Sequence, residues 1–396
     1  DYVGQLTLNR GLDVTSSFEQ RAGEVTGGGT LRIMTGATYA WYAGTMSKGA
    51  LAGTTQIDAN AALDILGAVG HTNNGRTISN SGTVTMTSGF LELNDGAAFN
   101  NLAFSKFKTS ASSGVLRTQG TAGSLVVNAN ALFEVNSTGA TTAIEAYLVN
   151  AGTVEVKSGE LMLASNSQNT GAFTIQNFAV MSLVGGASIE HVFDGATVSG
   201  AGQLYTLAKM NVKGTVNVDN LRQGSGEIGG TGELRIKVAL AINGGSMAGS
   251  GTTTLVANAV GDLDGNHALT RKFDNYGVLR VNQGQWTLGN GAALFNKTNA
   301  LLTLKKEARW GDASAALPPA LFNNFGTVTS DTVAADTITI PVLFTNSGTL
   351  TAKAGTLRFS KDFTQMAGVI NLTGTLKSDG KIDIRGGDVL VIGLVA

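Results

Sequence analysis

Apolar and polar residues alternate along most of the chain in runs of three to five, and glycine or asparagine breaks each run. Apolar residues at every second position give a strand one buried face. Strands this short do not stand alone. Helical periodicity is nearly absent. The main exception is 301–316, with Lys305-Lys306-Glu307-Ala308-Arg309-Trp310 ahead of Pro318-Pro319. This stretch, carried on to 320, reads as a protruding loop or short helix, and 61–74 reads as a second irregular excursion.

The alternation is organised by a repeat. Asn-x-Gly opens an alternating run, a second glycine follows seven positions after the first, and alternation resumes. Four full copies carry it, at Asn80/Gly82/Gly89, Asn150/Gly152/Gly159, Asn275/Gly277/Gly284 and Asn346/Gly348/Gly355. Partial copies begin at Asn169 and Asn324. A second unit places Gly-x-Gly between apolar residues, as in Val25-Thr26-Gly27-Gly28-Gly29-Thr30-Leu31 and Ile228-Gly229-Gly230-Thr231-Gly232-Glu233-Leu234. A third is Gly-Ala-Ala, at Gly96 and Gly291. Gly and Asn tolerate the positive φ that sharp corners need. Short strands, tight corners and no intervening helices predict a solenoid in which each coil stacks in parallel on the last. Adjacent anchors such as Asn150 and Asn169 set a coil of about 20 residues, hence about 18–20 coils in a single continuous solenoid over 1–396.

Composition supports this reading. Of 396 residues 54 are glycine, only 14% are charged and three are proline. Glycine without a three-residue period and with scarce proline excludes collagen. Zero cysteines exclude a disulfide scaffold and a thiolate metal site. A net charge of −1 gives no bulk attraction to nucleic acid or an anionic membrane. No apolar run reaches the length of a transmembrane helix, and no signal-peptide pattern follows Asp1.

The repeat grammar resembles the Gly-rich repeats of bacterial secreted β-helix proteins, in particular autotransporter passengers and filamentous-haemagglutinin-like adhesins. The run Phe363-Thr364-Gln365-Met366-Ala367-Gly368, then Gly374-Thr375-Leu376 and Ile382-Asp383-Ile384-Arg385-Gly386-Gly387, is especially similar. The resemblance implies export, a right-handed parallel β-helix, and a role at a bacterial cell surface or in a matrix. It supplies no catalytic residues.

Candidate chemistry is sparse. Asp262, Asp264 and Asn266 alternate as in a fragment of a calcium loop, but Phe273 stands where the closing glutamate is needed. The competing reading is a solvated turn. His71, His191 and His267 lack ligand spacing and read as surface or corner residues. Gly27-Gly28-Gly29 lacks the Lys-Ser/Thr and helix of a phosphate loop. Trp286 falls at an inward position, and Trp41 at a core position or an exposed strip. Trp310 with Lys305, Lys306 and Arg309 is a candidate contact site, or part of a loop packed back on the solenoid.

Both ends alternate without a capping helix, at Leu6 and Leu8 and at Leu390, Ile392 and Leu394. Uncovered end coils expose strand edges. The expectation is therefore a non-enzymatic structural subunit of a surface filament, sheath or biofilm matrix, assembling head-to-tail with copies of itself and needing no cofactor. Two other readings are an adhesin stalk that binds glycans, and a polysaccharide lyase or depolymerase. The last requires acidic and basic residues clustered on one face.

Overall fold

The computed structural model describes residues 4–110, 116–117, 120–289, 291–312 and 318–391. The chain falls into two compact units, Asp1–Leu204 and Tyr205–Ala396. Each is an all-β solenoid of parallel strands, and together they hold about 18 turns. Among the described residues there is no helix, and so none long and apolar enough to cross a membrane.

In the first unit, one coil runs through strands Thr30–Ile33, Thr38–Trp41 and Gly44–Ser47. The next runs through Thr54–Ile57, Ala62–Ile65 and Gly70–Asn74. A third follows through Thr77–Asn80, Thr83–Met86 and Phe90–Asn94. Register is kept on all three faces: Leu31 lies under Thr55 and Ile78, Tyr39 under Leu63 and Val84, and Met46 under Asn73 and Leu93. Inward residues are buried and their neighbours are half-exposed, as the two-residue strand period requires.

Residues 61–74 are therefore no excursion. Leu63, Ile65, His71 and Asn73 all point into the core, so this stretch carries two regular strands. The expected loop or helix over 301–320 is also corrected. Leu301–Asp312 is one long strand that lies on Val278–Leu288, with Trp310 over Trp286. Its alternation was masked by Lys305-Lys306-Glu307, which falls where the strand bends from one face to the next and the register shifts. Residues 313–317 lie outside the described residues.

The two glycines of the Asn-x-Gly repeat do different work. Gly89, Gly159, Gly284 and Gly355 adopt positive φ of 72°, 73°, 81° and 68°. Gly82, Gly152, Gly277 and Gly348 do not; they are glycine because a Cβ would overlap a backbone carbonyl of the preceding coil, that of Ala61 at Gly82 and of Ala259 at Gly277. The asparagine is not a left-handed corner either. Asn80, Asn150 and Asn275 point inward, and each Oδ1 accepts the N–H of the motif glycine two residues on, at 2.9, 3.1 and 3.0 Å.

In the second unit these side chains join into a ladder. Asn275 Nδ2 donates to Asn296 Oδ1 at 2.8 Å, Asn296 to Asn324 at 2.8 Å, Asn324 to Asn346 at 2.6 Å, and Asn346 to Gln365 Oε1 at 2.8 Å. All five side chains are buried. Beside them runs a stack of rings. Trp286 and Trp310 have centroids 5.1 Å apart, Trp310 and Phe322 5.7 Å, and Phe322 and Phe344 4.8 Å.

Candidate functional site: the exposed last coil of the second unit

The strands Ile382–Ile384 and Asp388–Val391 form the last described coil. Among the described residues they pair only with Phe363–Gln365 and Val369–Leu372, with Ile382 over Phe363, Ile384 over Gln365 and Val389 over Ile370. Deeper in the stack each inward side chain is covered by coils on both sides. Here Ile382 is 48% exposed, Ile384 56%, Val389 43% and Val391 68%, while Leu390, in register with the outward Asn371, faces the side of the coil. The amide ladder stops at Gln365, because Ile384 above it has no hydrogen-bonding side chain. An apolar patch on a strand edge that no described strand covers is the form of surface that takes up another strand, of a following coil or of another copy.

Charge is arranged around this patch. Asp383 accepts from Arg385 at 2.9 Å and from Lys381 at 3.2 Å, and these hydrogen bonds hold its carboxyl below the ordinary aspartate range. Asp379 is lowered likewise by Arg358. Ile392 and Leu394, expected to belong to the same edge, lie outside the described residues. At the other end Leu8 is buried, and Leu6 is half-buried on the strand Gln5–Thr7.

The remaining sequence candidates fall in different places. Asp262 faces Arg280 at 3.5 Å and accepts from Asn282 at 3.1 Å, while Asn266 Oδ1 accepts the Gln285 N–H at 2.8 Å. Asp262 Oδ1 and Asn266 Oδ1 are thus engaged within the protein, and Asp264 stands half-exposed between them in sequence. Among the described residues no group of three or more acidic or histidine side chains is placed to hold a metal ion. Trp310 is not a protruding contact. It is 9% exposed and lies in the ring stack, whereas Lys305 and Arg309 on the same strand face outward. Nothing is described of the Lys306 side chain.

The three histidines are buried, against the expectation of surface or corner positions. His71 Nε2 lies 2.9 Å from the Leu66 carbonyl and 3.0 Å from that of Trp41. His191 contacts Ser167 Oγ at 3.0 Å. His267 lies against the Gly244 carbonyl at 3.4 Å, and burial pushes its pKa down to about 4.

Two buried arginines were missed altogether. Arg76 is fully buried, and its guanidinium donates to carbonyls of Gly27, Gly29 and Thr54 and to Thr55 Oγ1. Arg271 repeats the arrangement against Gly232 and Gly251. Nothing in a lone arginine ahead of a strand separates this role from a solvated one. The available signal was the Gly-x-Gly corner itself, whose carbonyls need donors.

Comparison with known proteins found no matching family model, no matching curated protein and no matching solved structure.

Proposed function

We propose that the protein is an extracellular structural β-solenoid of a bacterial surface filament, sheath or biofilm matrix, in which copies join head-to-tail through their end coils. The observation that carries this reading is the exposed apolar edge at Ile382, Ile384, Val389 and Val391. Its strands continue the parallel register of the stack, so an incoming coil would find main-chain partners and an apolar face together. The receiving surface is the first coil of a second copy, where Leu12 is exposed on the strand Leu12–Val14. Such a contact is heterologous, and repetition builds an open fibre rather than a closed dimer. Function is then mechanical, and rests on main-chain ladders reinforced by stacked amides and rings.

Negative-stain microscopy and sedimentation of residues 1–396 at micromolar concentration test this. The expected result is concentration-dependent linear polymers that Val389→Lys and Val391→Lys reduce to monomers. Discrete monomers in the unmodified protein, or polymers indifferent to both substitutions, would overturn it.

A further inference from the structure

A groove on one outer face of the second unit belongs to none of the features above. Along one register line, Arg235, Thr254, Asp274 and Phe295 follow one another on successive coils. The sequence long, short, short, long leaves a dent. Its floor is Thr254 and Asp274, which point outward yet are only 4% and 6% exposed. Glu233, Arg235, Val256 and Tyr276 complete a cavity of about 440 Å³. That volume lies within the range of small-ligand sites.

The groove is polar and organised. Asp274 is held between Lys272 at 2.8 Å and Lys297 at 3.1 Å. Its Oδ1 makes no aligned hydrogen bond, although Lys297 is its close neighbour. Lys297 also sits 4.6 Å from the centre of the Phe295 ring and 5.7 Å from that of Tyr276. Across the dent, Glu233 Oε1 accepts from Thr254 at 2.8 Å and Arg235 at 3.1 Å. Tyr276 is 44% exposed and presents a ring at the rim.

We infer that this groove binds a sugar residue of a glycan chain, and an acidic one by preference. A pyranose carries hydroxyls around its edge and C–H groups on its face. The edge suits fixed carboxylates and cations in alternation, and the face suits a half-exposed aromatic ring. Arg235 lines the groove beside Glu233, and Lys272 and Lys297 border it through their ion pairs with Asp274, so three cations stand against two carboxylates and the excess positive charge favours a uronate over a neutral sugar. An apolar ligand would leave these charges desolvated without partners. The site is independent of end-to-end assembly, because it lies on the side of the coils.

Affinity electrophoresis and calorimetry with polygalacturonate and with cellohexaose test the inference. Polygalacturonate is expected to bind, and Tyr276→Ala and Arg235→Gln each to weaken it by about tenfold with unchanged melting curves. Both residues are partly exposed, so neither substitution removes core packing. Binding of cellohexaose alone would overturn the acidic preference. Binding of neither polymer, or binding unaffected by both substitutions, would overturn the site.

Discussion

Arg76 Nη2 donates to the carbonyl of Gly29 at 2.8 Å, two coils away along the same face. Gly29, Gly53 and Arg76 directly precede the stacked residues Thr30, Thr54 and Thr77, so the arginine ends one column of corners that two glycines begin. Gly232, Gly251 and Arg271 stand in the same relation to Glu233, Thr252 and Lys272. The Gly-x-Gly segment that invited comparison with a phosphate loop thus turns its carbonyls, rather than its amides, toward a buried cation. Burial lowers the pKa of both guanidinium groups, that of Arg271 to about 10, so Arg271 remains charged at neutral pH.

Replacing Arg76 by Met should therefore cost about 3–5 kcal/mol, because several buried carbonyls lose their donors at once. Arg76→Lys should recover little of this, since one ammonium cannot reach what a planar fork reaches. Urea unfolding of both variants checks the point. Full stability in Arg76→Met would show that the guanidinium contributes nothing net.

The amide ladder makes a second prediction. Asn324 accepts from Asn296 and donates to Asn346 Oδ1 and, at 2.9 Å, to the Thr349 carbonyl. Asn324→Ala should lose about 2–4 kcal/mol by stranding those groups. Its outward neighbour offers the control, with Asn323→Ala expected within about 0.5 kcal/mol of the unmodified protein. Equal effects at the two positions would remove any special role for the ladder.

Acid should destabilise the fold as pH falls from 6.5 toward 4. His267 has a folded pKa of about 4 against an ordinary value of 6.5. Above 6.5 the ring is neutral in both states and stability is complete. Between 6.5 and 4 the unfolded chain takes up a proton that the folded chain refuses, so stability falls as pH falls, by about 3 kcal/mol in all. His191 is shifted in the same direction by burial. Melting temperatures across this window should flatten in His267→Gln, and an unchanged slope there would contradict the assignment.

Two glycines separate conformation from crowding. Gly96 and Gly159 have nearly the same φ, 74° and 73°, but a Cβ meets nothing within 4 Å at Gly96 and overlaps the Ser137 carbonyl oxygen at Gly159. Gly96→Ala should cost about 1–2 kcal/mol from the left-handed backbone alone. Gly159→Ala should cost about 3 kcal/mol or more, because the coil below must also move. Thermal melts of the pair measure the difference.

Much of the architecture is a local matter. Alternation at a period of two and a seven-residue glycine spacing are properties of neighbouring residues, so strands, corners and parallel stacking could be read from Asn80 to Gly89 or from Asn346 to Gly355 without coordinates. The phase of the end coil was not readable: Leu390 pairs with the outward Asn371, and Val389 and Val391 continue the inward register. What escaped was whatever depends on residues one or two coils away. Trp310, beside two lysines and an arginine, read as a protruding contact or as part of a loop packed back on the solenoid, yet it stands in a strand between Trp286 and Phe322. The histidines carried no spacing signal because their partners are carbonyls of preceding turns and a serine of the coil below.

The groove shows the same division. Glu233, Thr254, Asp274 and Tyr276 are scattered over more than forty positions of sequence, and no motif joins them. Stacking sets successive coils about 4.8 Å apart and turns that scatter into one surface. Sequence alone determined that this chain coils, because the periodicity of a strand and the freedom of glycine act within a few residues. Only the tertiary structure decided which side chains meet, because register between coils sums the lengths of every intervening turn.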